Sequence, residues 1–135
     1  GLLEYTGQFI KKLIELPEGI HNARPYREGI LFNDTDADVV RHVTRSGQIA
    51  FEIPKYDIEK LTHAELGDDK VARQGFGRGL CEIGEDVVAS GSSPSTIFLH
   101  NLDTRKTFKQ ITLSFDIRNA IHGLEVWPYD SFVVK

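Results

Sequence analysis

Two histidines sit in near-copies of one short motif. His21 lies in GIHNARPY (19–26) and His122 in AIHGLEVWP (120–128), 101 positions apart. Each follows an isoleucine, and each is followed three residues later by a charge, Arg24 in one copy and Glu125 in the other. Neutral imidazole nitrogens bind divalent metals, so converging histidines of this kind would make a metal site. Arg78, in GFGRGL, stands at the corresponding place between them. A guanidinium grips a carboxylate, sulfate or phosphate through two parallel hydrogen bonds. His21 and His122 are thus the candidate metal ligands, and Arg78, Arg24 and Glu125 the candidate ligand-binding residues. A divalent metal is the cofactor this pattern suggests, and a small anion the ligand. The competing reading is structural, with each histidine hydrogen-bonded to a neighbouring loop.

Other stretches carry less chemistry. GFGRG (75–79) spaces glycines at alternate positions and could offer backbone N–H groups to an anion. A strand rather than a helix follows it, which argues against a dinucleotide fingerprint. NDTDAD (33–38) opens like a calcium loop, but Val39 replaces the required glycine and Arg45 the bidentate glutamate. Both it and SGSSPS (90–95) read better as turns. Cys81 alternates with apolar neighbours and reads as an inert core residue. His42, His63 and His100 show no shared spacing and take no role. No nucleophile, acid–base pair or Gly-x-Ser-x-Gly elbow is visible, so no catalytic residue is named.

Composition narrows the classes. The chain has 135 residues, one domain's worth, with 40% apolar and 27% charged residues. A net charge of −4 with scattered Lys and Arg gives no footprint for nucleic acid. A single cysteine excludes an internal disulfide framework. No apolar run reaches the roughly 18 residues of a membrane span, and no leader pattern opens the chain. Asn33-Asp34-Thr35 fits a glycosylation triplet, but such triplets are common by chance, and the cytoplasm is favoured. Methionine is absent even at position 1, as expected of a processed, excised or redesigned chain.

The elements that must hold these residues are strands. Short runs rich in β-branched and aromatic residues alternate with Gly, Asp, Asn, Ser and Pro turns. They fall at 2–5, 9–16, 22–26, 30–34, 38–43 and 48–53, and again at 79–83, 86–90, 96–102, 107–113, 123–127 and 131–135. Most connections are two to five residues, the length of antiparallel hairpins. The pattern also repeats: YTGQFIKKLIEL matches TRSGQIAFEIPK, and ARPYREGILFND matches LCEIGEDVVASG. Gly7 and Gly47 lie 40 residues apart, the period of a four-stranded propeller blade. The expected fold is all-β, a β-propeller of four-stranded antiparallel blades in one domain over 1–135.

With strands lettered A to D from the axis outward, the chain reads as C-D (2–16), two complete blades (22–53 and 79–113), then A-B (123–135). Closed propellers carry about four to eight blades. A homodimer sharing its terminal blades would close a six-bladed ring, and His21 and His122 then fall at equivalent A-strand entries. Residues 55–77, mostly polar, interrupt the period as a loop insertion in which 57–66 could form a short helix.

HNARPYREGILFNDTDADVVRHVTRSGQIAFEIP (21–54) resembles the blades of six-bladed propellers of the NHL, gluconolactonase-like and arylsulfotransferase-like groups. There an inner strand opening with His precedes a G-x-L-x-x-D-T strand and a V-x-x-V strand. The resemblance covers about 35 residues well and the second blade less well. It implies half of such a propeller. For function it implies either a metal-dependent or anion-binding enzyme of lyase, hydrolase or sulfotransferase type, or a non-catalytic binding module. By motif position it carries His21 and, through the repeat, His122. Arg78 replaces the histidine of the middle blade, which interrupts a complete metal ring.

Overall fold

The computed structural model describes residues 1–66 and 73–129. It is built from antiparallel strands with no α-helix among the described residues. A two-stranded hairpin comes first, β1 (Leu2–Tyr5) and β2 (Ile10–Ile14). A four-stranded meander follows: β3 (Ile20–Tyr26), β4 (Gly29–Asp34), β5 (Val39–Thr44) and β6 (Gly47–Glu52). A second meander has the same order: β7 (Arg78–Gly84), β8 (Val87–Ser92), β9 (Thr96–Asn101) and β10 (Lys106–Thr112). These are the blade-like sheets of the sequence pattern. The turns fall where local chemistry puts them. Asp34 ends β4 and its Oδ1 accepts the Ala37 N–H at 3.2 Å, an Asx turn rather than a calcium loop.

Each meander alternates its side chains, and the two sheets press one apolar face against the other. Tyr26, Leu31, Val40 and Phe51 of the first meet Leu80, Val88 and Leu102 of the second in one buried cluster. Burying each such side chain contributes about 2 kcal/mol, enough to make this junction the centre of stability. Its turn end is pinned by polar contacts. Tyr26 Oη donates to the Glu85 carbonyl at 2.9 Å, and Arg27 bonds that carbonyl and the Asp86 carboxylate.

The last expected strands are corrected. Residues 120–129 form no regular secondary structure, so the strand at 123–127 is absent, and 131–135 lie outside the described residues. A strand exists only as part of a ladder, and β propensity over 123–127 cannot supply the partner. The segment nonetheless seats on the second sheet. Ile121 N–H donates to the Ser92 carbonyl at 3.3 Å, and its side chain covers Gly91, where an added Cβ would stand 2.4 Å from it. Only glycine fits there.

The insertion is bound to the sheet rather than adrift. The expected helix over 57–66 reduces to two single 3-10 turns, Ile58–Lys60 and Ala64–Leu66. Between them Thr62 pairs with the 115–117 backbone through bonds of 3.0 and 3.2 Å. The Tyr56 hydroxyl sits among Thr96, Thr112 and Gln110, and its ring meets Phe115 edge-on at 5.3 Å. Among the described residues no helix is long and apolar enough to cross a membrane.

Candidate functional site

Each inner strand begins with the same irregularity. In β3 the register against β4 slips after His21, and Asn22 takes a left-handed φ of 56°. In β7 it slips after Arg78, and Gly79 takes a φ of 74°. Asn and Gly are the residues that accept this conformation most readily. Gly123 follows His122 in the sequence but takes no left-handed φ, and no strand begins there, so His21 and Arg78 alone share the irregularity among the described residues. The contacts between neighbours repeat as well. Asn22 Oδ1 accepts the Gly79 N–H at 3.0 Å and the Asn33 amide at 3.3 Å, while Asn33 Nδ2 also donates to the Gly79 carbonyl at 3.2 Å. Gly79 in turn abuts Gly123, where an added Cβ would stand 3.2 Å from its carbonyl carbon. One strand entry leans on the next.

This staircase gathers the candidate residues. The Arg78 guanidinium lies 4.5 Å from the centre of the Phe76 ring, and its Nη1 is 3.4 Å from His122 Nδ1. His21 packs against the same Phe76 ring at 5.9 Å. Partial burial lowers the His21 pKa, the positive charge of Arg78 lowers it further, and Asp36 opposes both. Arg24 and Glu125 both act electrostatically on Cys81. Burial pushes the Cys81 thiol up, Glu125 adds to that and Arg24 works against it. A buried thiol of raised pKa is inert, as the sequence implied. His21, Arg78 and His122 thus gather around Phe76, whereas Arg24 and Glu125 are linked only through Cys81.

Beside Arg78 and His122 lies an open cleft of about 440 Å³, lined also by Phe76, Ser93, Ile117, Arg118 and Ala120 but not by His21, Arg24 or Glu125. Arg118 is turned toward Asp116, bonding it through Nε at 2.9 Å and Nη2 at 2.6 Å. That pair holds the Asp116 carboxyl far below the usual carboxylate range. Arg78 differs. Its Nε is buried and has no hydrogen-bond partner among the described residues. A buried N–H without an acceptor costs about 1–3 kcal/mol. Among the described residues no three His, Cys, Asp or Glu side chains group as a metal set.

In the sequence Phe76 stands only within GFGRG and Asn33 only in a turn and a glycosylation triplet, neither marked for the site. The available signal was the residue after each entry: Asn22, Gly79 and Gly123 all suit a left-handed turn. No protein-family model, curated protein or solved structure matches this chain. The likeness of residues 21–54 to propeller blades stands on their strand pattern alone.

Proposed function

We propose that the chain forms part of a β-propeller whose axial mouth binds a small anion, with Arg78 as its main contact. The observation that carries this reading is the Arg78 guanidinium, fixed over Phe76 with a buried unpaired Nε, with His21 against the same ring and His122 at 3.4 Å. The neighbour-to-neighbour contacts from Asn22 to Gly79 to Gly123 support a rotational repeat around an axis. Exposed apolar residues support ring closure by a second copy. The hairpin leaves Leu3, Tyr5, Phe9 and Ile10 bare, and β10 with its continuation leaves Phe108, Ile111 and Leu113 bare. Faces of this kind are buried between neighbouring blades.

A divalent metal held by His21 and His122 would share the mouth with the Arg78 charge, and that repulsion favours the anion. Sulfate and phosphate titrated calorimetrically against the intact chain test the reading. Arg78→Gln is expected to weaken binding about tenfold to a hundredfold, the loss of one charge-assisted contact. Unchanged affinity in that variant would refute the site. Metal content after purification, compared with His21→Ala and His122→Ala, tests the metal reading. Sedimentation mass tests the ring, and a monomer at micromolar concentration removes it.

A further inference from the structure

A second cleft opens at the opposite, turn-bearing end, between the two four-stranded sheets. It measures about 430 Å³, and its lining includes His42, Gln48 and Ile49 of the first sheet and Leu102, Asp103 and Arg105 of the second. His42 is only 6% exposed. Its Nε2 faces the Tyr26 carbonyl at 3.2 Å, and a carbonyl can only accept, so Nε2 carries a proton. The Tyr26 ring stands edge-on to the imidazole at 5.3 Å and fixes its plane. The other nitrogen, Nδ1, has no partner among the described residues and is not enclosed by them.

The second sheet shows what that nitrogen does when it is satisfied internally. His42 pairs across the ladder with Leu31, and His100 pairs with Val88, so the two histidines occupy the same station in their sheets. His100 Nε2 meets Ser90 Oγ at 2.7 Å and its Nδ1 meets Thr107 Oγ1 at 2.8 Å. Across from His42 on the outer strand stands Ile49, where His100 faces Thr107. Isoleucine offers no hydroxyl, and the first sheet thereby leaves open a hydrogen-bonding atom that the second closes. The blade plan does not require the opening.

We infer that this cleft is a binding site for a small uncharged polyhydroxyl compound of sugar size, with His42 Nδ1 accepting one of its hydroxyl protons. Thr44, Ser46 and Gln48 add hydroxyl and amide groups, and Ile49 and Leu102 an apolar patch. Arg27 and Arg105 balance Glu28 and Asp103, and Arg27 is already engaged by Asp86 and by Asp103 at 3.8 Å. Two arginines against two carboxylates leave the lining with no net charge, which favours a neutral ligand over one that must give up the hydration of a charge.

The test is calorimetric titration of the intact chain with glucose, galactose, myo-inositol and maltotetraose, beside glucose 6-phosphate and glycine as charged controls. The expected result is millimolar binding of at least one neutral compound and none of the controls. Preference for maltotetraose would identify a glycan, and for a monosaccharide a free sugar. Ile49→Thr, which supplies the hydroxyl found at Thr107, is expected to weaken binding about fivefold to tenfold by occupying Nδ1 from within. In the parent chain the Nδ1 nitrogen-15 resonance of His42 is expected to shift on titration. Absence of neutral binding, preference for a charged control, an unmoved resonance, or full affinity in folded Ile49→Thr would each overturn the proposal.

Discussion

The two four-stranded sheets follow one strand plan and yet use their polar residues in opposite ways. The second encloses its own: Ser90, His100 and Thr107 form a chain of hydrogen bonds across three strands, and His100 and Ser90 are fully buried. The first turns outward. Asn33 stands at the station of Ser90, since Asn33 pairs with Val40 as Ser90 pairs with Phe98. Its amide is drawn away from His42 to Asn22 and to Gly79 of the neighbouring sheet. His42 therefore turns to the Tyr26 carbonyl and keeps one nitrogen open. One sheet uses polar groups to fix itself, and the other uses them to fix a junction and to face a cleft. Repetition of a backbone plan does not repeat its chemistry.

Four measurements sharpen or break this contrast. The largest effect belongs to His100→Ala, which leaves a cavity and strands the buried Ser90 hydroxyl. About 4 kcal/mol of unfolding free energy is expected to be lost, read from urea denaturation followed by circular dichroism. His42→Ala is expected to lose about half as much, because one side of its ring already faces a cleft. Equal losses would erase the distinction.

Acid comes next. Burial lowers the His100 pKa to about 4 from an ordinary 6.5. The unfolded chain therefore binds a proton that the folded chain refuses between those two values. Stability is complete above pH 6.5 and falls as pH drops toward 4, by about 3 kcal/mol at the lower limit. Urea midpoints across that range should decline in the parent chain, and the decline should shrink in His100→Gln. A decline of the same size in both would assign it to other groups.

Asn33→Ser makes the first sheet resemble the second and removes the clasp on Gly79. A loss of about 2 kcal/mol is expected, because the Gly79 carbonyl and the Asn22 amide oxygen lose a shared donor. Ile49→Thr should move stability least, within about 1 kcal/mol, since a new hydrogen bond to His42 offsets lost apolar burial. Thermal unfolding reads both, and a loss above that for Ile49→Thr would show that the threonine hydroxyl fails to reach the ring.

Much of the architecture is local and therefore readable along the chain. The alternation in VVRHVT and TIFLHN and the Asx turn after Asp34 depend on neighbours a few residues apart. The shared station of His21 and Arg78 was readable too, since the residue after each, Asn22 or Gly79, is one that tolerates a left-handed turn. His42 and His100 lie 58 positions apart, one more than His21 and Arg78, and small differences between the turns hid that correspondence.

What the sequence by itself determined is the ten strands of the hairpin and the two meanders, their order and the shared start of β3 and β7, because strand periodicity and turn chemistry act over a few residues. Tertiary structure decided the rest. It removed the strand expected at 123–127, which has β-forming residues but joins no ladder among the described residues. It tied Tyr56 of a polar insertion to Thr96, a residue 40 positions away, which no local pattern announces. It also set Phe76 beneath Arg78 and left that guanidinium with an unpaired nitrogen. Whether a polar group is satisfied depends on which distant atoms the packed sheets bring within about 3 Å, and that is a property of the assembled fold.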